Sequence, residues 1–480
     1  MRPHPEVGLN YGSIAGSSAG VNAPRTGHRG RARAFLGWRH APAAFAARLP
    51  CPAPATAGRF AASDSGPGEV WLQRAQVRQT PRVPIQAATN AAPVKEGRLA
   101  VLDGLRGIAV LLVLWFHLWE ISWLPAPFPA LEFVPETGFV GVHLFFFISG
   151  FVIIYPFVRA QFAGRAAPTW RHFAYRRFIK IVPSYVLSIA VAIAIGYAHF
   201  ASSGQAVRDI VTHLLFIHTW WYGTYGSING VLWTLAVEAQ FYLVFPVLWW
   251  FFKRAPWPTG GAMVAFALLW RNYAASCCLH TTGLLWFENF PGYIDVFACG
   301  MLSAYAYVCL RGRIAGLAAA RTATLVALVG FAFLVALLQN MWAMRTVDQW
   351  STVWQIDNRT WIGVAFFVIA TASLLAAPSW QRAIGNPVLI FFATISYNLY
   401  LYHQMLAREL LSHRIPPYAT ADPHADHQWQ ILYTIVAFGV TIAEATLVTY
   451  AFERPLLRLQ PDRLLAAASR LRPHRALPPM

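Results

Sequence analysis

Apolar residues gather in runs that alternate with short basic stretches along most of the chain. Runs of about 17–25 residues are long enough to cross a bilayer as helices. They fall at 102–121, 139–158, 181–200, 229–252, 261–279, 290–310, 322–339, 360–377, 388–406 and 429–452. The pattern predicts an all-α polytopic bundle of about ten transmembrane helices. A further run, 209–222, is shorter and holds His213 and His218. It is expected to be re-entrant or interfacial.

Charge orients this scheme. Arg159, Arg165, Arg171, Arg176, Arg177 and Lys180 form one basic stretch. Lys253 and Arg254 form a second, Arg311, Arg313 and Arg321 a third, Arg382 a fourth, and the tail from Arg454 a fifth. The stretches 122–138 and 340–358 carry fewer positive charges. Basic loops stay on the cytoplasmic side, so ten spans with both termini inside fit the alternation. Counting 209–222 as an eleventh span would turn every later basic loop outward.

Composition agrees. The chain is 57% hydrophobic and 12% charged, against about 25% charged for a soluble domain. Its formal charge of +18 reads as loop charge held at a membrane face, and no nucleic-acid-binding motif accompanies it. Residues 1–98 differ: they are rich in Ala, Pro, Gly and Arg and lack a long apolar run. Residues 1–100 hold thirteen Arg and Lys against four Asp and Glu. This stretch is expected to be a disordered basic tail, dispensable for activity, before a membrane domain at 99–457 and a second basic tail at 458–480. Cys277, Cys278, Cys299 and Cys309 lie in or beside apolar runs and read as small buried hydrophobes.

Ionisable groups inside spans are the candidate chemistry. The first span opens Leu102-Asp103-Gly104-Leu105-Arg106-Gly107 and runs to His117. Eleven residues bring Arg106 and His117 to one helix face, about 16 Å apart along the axis. Arg106 reads either as an anchor at the boundary or as a binding group. His117 reads either as a helix–helix hydrogen bond or as a reactive imidazole. In the second span, Gly141, Ser149 and Gly150 permit close helix approach. Arg176-Arg177-Phe178-Ile179-Lys180 stands at a helix entrance, suited to phosphates or to plain loop charge. Glu238 is a carboxylate within an apolar span, with Tyr242 one turn on, and such a group is costly unless paired. His413, His424 and His427 lie in a polar loop without clear ligand spacing, so no metal site is expected.

Taken together, these strings resemble the acyltransferase 3 family of membrane proteins. The resemblance rests on Arg106 and His117 with ten residues between them, and on Phe146-Phe147-x-x-Ser149-Gly150-Phe151. It rests also on Arg176-Arg177-x-x-Lys180-x-x-Pro183-x-Tyr185 and Trp233-x-Leu235-x-x-Glu238-x-x-Phe241-Tyr242. Ser396-Tyr397-x-x-Tyr400-Leu401-x-His403 and Glu453-Arg454-Pro455 complete the set. It implies transfer of an acyl group, usually acetyl from acetyl-CoA, to a hydroxyl on a glycan such as lipopolysaccharide, exopolysaccharide or peptidoglycan. The partners implied are an acyl-CoA co-substrate, a glycan or lipid-linked acceptor and membrane lipids, in the cytoplasmic membrane, with no bound cofactor. His143 stands where the family often has Asp, and Lys180 where Arg is common. The tail after the last span is too short for the extracytoplasmic esterase domain that some members carry, so a stand-alone form is expected.

On this reading His117 is the base and Glu238 orients it, as a carboxylate orients a catalytic histidine. Arg106, Arg177 and Lys180 hold the CoA phosphates. Ser149, Trp233, Tyr242, Tyr400 and His403 line the acceptor side or support the site. The rival is a secondary transporter, which would also hold a midplane carboxylate and cationic mouths.

Overall fold

A computed structural model of the protein describes residues 99–278, 283–347 and 349–458. The tails expected at 1–98 and 458–480 lie outside these residues, apart from residue 458. Among the described residues every regular element is helical. The long helices are α1 (Ala100–Ser122), α2 (Val140–Phe162), α3 (Trp170–Ala194), α4 (Ser203–Leu214), α5 (Trp233–Phe252) and α6 (Pro256–Cys278). They continue with α7 (Phe290–Leu310), α8 (Leu317–Trp342), α9 (Trp350–Leu375), α10 (Pro387–Ser412) and α11 (His427–Val448).

Among the described residues each of the ten expected spans overlaps a helix. Among the described residues eight are long and apolar enough to cross a membrane, and nine if the short helix Pro378–Ile384 and α10 count as one span bent by 43°. Helix α6 falls below that measure, because Pro256, Trp257, Pro258, Arg271 and Asn272 dilute its apolar run. Helix α3 starts at Trp170, well before the expected 181. Apolarity marks where lipid begins, whereas Arg and Lys continue a helix readily. Thr169 caps it by accepting from the His172 N–H at 3.4 Å. The cationic run Arg171–Lys180 is therefore helical.

The doubtful run 209–222 belongs to α4 and the 3₁₀ turn His218–Trp220 that follows it. Twelve residues make about 18 Å of helix, too short for a core of about 30 Å. Ser202 caps α4 through the Gln205 N–H. Asp209 and His213 face inward, while Val207, Val211 and Leu214 are exposed.

Helices α2 and α7 are the most enclosed spans, with 72% of each apolar window buried, and α8 and α11 the least, at 22%. The bundle thus has a packed centre and a lipid-facing periphery. At that centre α2 lies directly on α7. A Cβ at Gly150 would stand 2.3 Å from the Phe297 carbonyl oxygen, and one at Gly300 2.0 Å from that of Phe147. Aromatic packing fills the space around them, with the Phe241 and Phe297 rings stacked at 4.1 Å. Gly104 and Gly107 do the same for α1, meeting the backbone of Ile384 and Leu389. The glycines flanking Arg106 therefore seat α1 against the Pro378–Ile384 helix and α10. Cys299 is buried and free. Cys277 and Cys309 are disulfide-bonded, which reading them as simple hydrophobes does not foresee.

Because backbone rather than a flexible side chain blocks the added methyl, Gly150→Ala and Gly300→Ala should each lower the thermal unfolding midpoint and the yield of monodisperse protein. Gly439→Ala, with nothing within 4 Å of the new Cβ, should leave both unchanged. Equal behaviour of all three in a thermal-shift assay would contradict this packing.

Candidate active site

Helix α1 turns one face to α10, and both candidate groups lie on it. Arg106 Nε donates to Ser396 Oγ at 3.0 Å. Two turns further along α10, the Gln404 amide lies 3.1 Å from His117 Nδ1, and the His403 ring is 5.0 Å from the His117 ring. The eleven-residue spacing thus puts Arg106 and His117 on one interhelical seam.

The carboxylate beside His117 is Glu120, whose Oε2 accepts from Nδ1 at 2.8 Å. The expected His117–Glu238 pair is not formed. Glu238 instead accepts through Oε1 from the hydroxyls of Ser149 and Tyr242. The signal for Glu120 was present: residues three apart on a helix are neighbours. Glu120 stands at the edge of the apolar run, where a carboxylate is unremarkable, whereas Glu238 is deep inside one. With Nδ1 occupied by Glu120, Nε2 is the ring nitrogen left for another partner.

Between α1, α2, α5 and α10 lies a cavity whose polar lining is Arg106, Ser149, Thr234, Glu238, Ser396, Tyr397 and Tyr400. Phe145 and Phe146 form part of its apolar wall, and the Arg106 guanidinium sits 5.9 Å from the Phe145 ring centre. The Thr234 hydroxyl donates to the Tyr400 oxygen at 2.9 Å, placing that ring. His403 bridges cavity and histidine. Its ring is 5.7 Å from that of Tyr400, and it is almost wholly buried. Trp233 stands off this lining, packed on Tyr293 at 5.7 Å and Tyr225 at 6.1 Å. Its place is in the wall behind Phe146.

The basic residues of α3 differ in their engagement. Lys180 pairs with Glu453, the acid of the closing Glu-Arg-Pro, and lies 5.2 Å from the Tyr397 ring centre. A π turn at Thr449–Glu453 at the end of α11 brings this about, and such bulges recur at functional sites. Asn398 holds the turn by donating to Thr449 Oγ1 at 2.9 Å and Glu453 Oε2 at 2.8 Å. Arg177 lies 5.7 Å from the Tyr242 ring centre, and its Nε is buried without a hydrogen-bond acceptor among the described residues. Arg176 is exposed. Lys180 is thus tethered to an acid, while Arg177 stands beside the tyrosine that holds Glu238.

A second polar cluster was not anticipated. Arg271 and Asp295, both fully buried, pair at 2.8 Å. Thr360 joins them, accepting from Arg271 at 2.9 Å and donating to Asp295 at 2.6 Å. Arg359, also fully buried, bonds Gln355 at 3.0 Å and Glu288 at 3.3 Å, and its guanidinium lies about 4 Å from the ring centres of Phe287 and Tyr293. His143 completes the cluster through Gln355 at 2.7 Å. The residue at the position where the family often has Asp is therefore wired to α9. Arg271 and Asp295 lie inside expected spans, and the rule that flagged Glu238 would have found them.

In the His413–His427 loop, His424 stacks on Trp123 at 4.2 Å and bonds the Ile121 carbonyl at 2.9 Å. It ties the loop to the end of α1. Its hydrogen bonds to Asp422 hold that carboxyl below its ordinary pKa.

The Arg271–Asp295 pair gives a stability prediction. Removing one member strands a charge in a medium without water, which costs about 3–5 kcal/mol. Arg271→Ala should therefore abolish or sharply reduce folded protein, and Arg271→Met with Asp295→Leu should recover part of it. A melting curve of Arg271→Ala like that of the wild type would contradict the pairing.

The model of a family described as an acyltransferase domain matches residues 99–450. Similar proteins include the peptidoglycan O-acetyltransferase of Listeria monocytogenes, 29% identical over 156 residues, which are 30% of this chain and 23% of that protein. A putative O-acetyltransferase of Staphylococcus aureus strain COL is 30% identical over 160 residues, 31% of this chain and 24% of the relative. A putative peptidoglycan O-acetyltransferase of Bacillus subtilis is 29% identical over 157 residues, covering 30% and 23%. The matched stretch thus spans under a quarter of each of these relatives. No solved structure matches the chain.

Proposed function

The chain belongs to the acyltransferase 3 family, and on that premise we propose that it transfers an acyl group to a hydroxyl of a cell-surface glycan. Acetyl from acetyl-CoA is the proposed donor. A peptidoglycan or other envelope glycan is the proposed acceptor, since the relatives above are named for that activity or for O-acetyl transfer. The cytoplasmic membrane, with both termini inside, is the proposed location. The observation that carries this reading is the seam between α1 and α10, with a guanidinium lining a cavity at one end and an imidazole–carboxylate pair at the other.

The roles follow from the chemistry. Arg106 and Arg177 meet the donor's phosphates through charge-assisted hydrogen bonds. Lys180 has N–H groups to spare beyond its bond to Glu453 and adds a point charge. The arm of the donor carries the thioester through the cavity, past Ser149, Glu238 and Tyr400, over the roughly 16 Å that separate Arg106 from His117 along the helix. Glu238, held by Ser149 and Tyr242, offsets the positive charge of Arg106 and Arg177 there. Glu120 fixes the His117 tautomer, so Nε2 is the basic nitrogen. Nε2 takes the proton of the acceptor hydroxyl, and the oxygen attacks the thioester carbonyl. The C–S bond breaks as the new ester forms, and the imidazolium returns its proton to the departing thiolate.

Three variants at matched protein abundance test the assignment. His117→Ala should lower turnover by about 10²–10⁴-fold, the range for a lost general base, while acyl-CoA binding stays near normal. Glu120→Gln should lower kcat with little change in the donor KM. Arg106→Ala should weaken donor binding instead. Normal turnover in His117→Ala would make that residue a packing group, and loss of donor binding equal to that of Arg106→Ala would overturn the separation of roles along α1.

A further inference from the structure

Away from the seam, a cavity of about 540 Å³ opens where the start of α8 meets the Pro378–Ile384 helix. We propose that it binds one anionic phospholipid from the leaflet on the basic side of the membrane.

The lining is ordered by chemistry along α8. Leu317, Arg321, Leu325 and Leu328 recur at steps of four, four and three, so they share one face. Arg321 lies near the helix start, and Leu325 and Leu328 are about 6 Å and 10 Å deeper along the axis. Both leucines are exposed, at 61% and 48%, on a helix whose surface is mostly turned to lipid. Facing Arg321 across the cavity are Ser379 and Arg382 of the short helix. Arg321 makes no ion pair or hydrogen bond among the described residues. Arg382 spends only Nε, on the Pro378 carbonyl at 3.3 Å. Neither arginine has an acidic partner among the described residues, so two arginines and a serine line an open space with hydrogen-bonding capacity to spare.

That order matches one ligand class. A phosphate fits two guanidinium groups, and its acyl chains continue down the exposed leucines. Basic pockets between helices at this depth are suited to lipid head groups. A free phosphate would leave the leucine stripe unused, and a neutral lipid would leave the arginines unused. The two walls are also held at a fixed spacing. The Ala377 N–H donates to Thr324 Oγ1 at 3.1 Å, which joins the end of α9 to α8.

Native mass spectrometry of the full chain, released from nanodiscs of phosphatidylcholine with or without phosphatidylglycerol, tests this. The wild type should keep one phosphatidylglycerol at activation energies that strip phosphatidylcholine. Arg321→Gln with Arg382→Gln should lower that occupancy at least fivefold, and Arg321→Lys with Arg382→Lys should largely preserve it. Both changes are on exposed side chains, and a thermal melt of each variant confirms folding. Equal retention of phosphatidylglycerol by the Gln variant, or equal retention of the two lipids by the wild type, would overturn the proposal. So would displacement of the lipid by millimolar inorganic phosphate, which would make this a phosphate site.

Discussion

A charged side chain within the span region is costly unless it finds a partner in the protein, because hydrocarbon offers none. That constraint organises this molecule more than any sequence of apolar residues does. Arg271 meets Asp295, Arg359 meets Glu288, Lys180 meets Glu453, and Glu238 is held by two hydroxyls. Arg271–Asp295 ties α6 to α7, Lys180–Glu453 ties α3 to the turn after α11, and Ser149–Glu238 ties α2 to α5, so the polar groups help fix which helices are neighbours. Glycines such as Gly150 and Gly300 then set how close those neighbours come.

The same constraint separates two kinds of polar cluster. The Arg271–Asp295 and Arg359–Glu288 group is neutral overall and closed upon itself, with both arginines fully buried. Such a group holds α6, α7 and α9 together. The seam group is different. Arg106 faces a neutral serine, Arg177 has a buried nitrogen with no acceptor among the described residues, and His117 keeps one ring nitrogen unassigned. Unspent capacity in and around the cavity suits the anionic, extended donor proposed above.

Much of this was legible in the sequence. The all-helical architecture and the order of the helices follow from apolar runs, since bilayer thickness fixes span length. Arg106 and His117 were found because helical periodicity puts them on one face whatever the tertiary structure does. Pairings between helices were not legible, because nothing in spacing along the chain says which helix lies beside which. Hence the sequence suggests Glu238 as the partner of His117, although Glu120 is three residues away on the same helix. The partner of Lys180 is equally hidden: its acid, Glu453, lies at the far end of the chain and is brought in by a π turn that composition does not reveal. The start of α3 was misplaced for a simpler reason, since charge ends the membrane but not the helix.

In the proposed reaction a donor from the basic face reaches, by way of the lined cavity, an acceptor on the other face. Sealed, inside-out membrane vesicles separate the two faces. Labelled acetyl-CoA, which does not cross lipid, is added to the exposed cytoplasmic face, with the glycan acceptor trapped in the lumen. The account predicts label in the luminal glycan, dependent on this chain. Label that appears only when donor and acceptor are placed on the same face would contradict it.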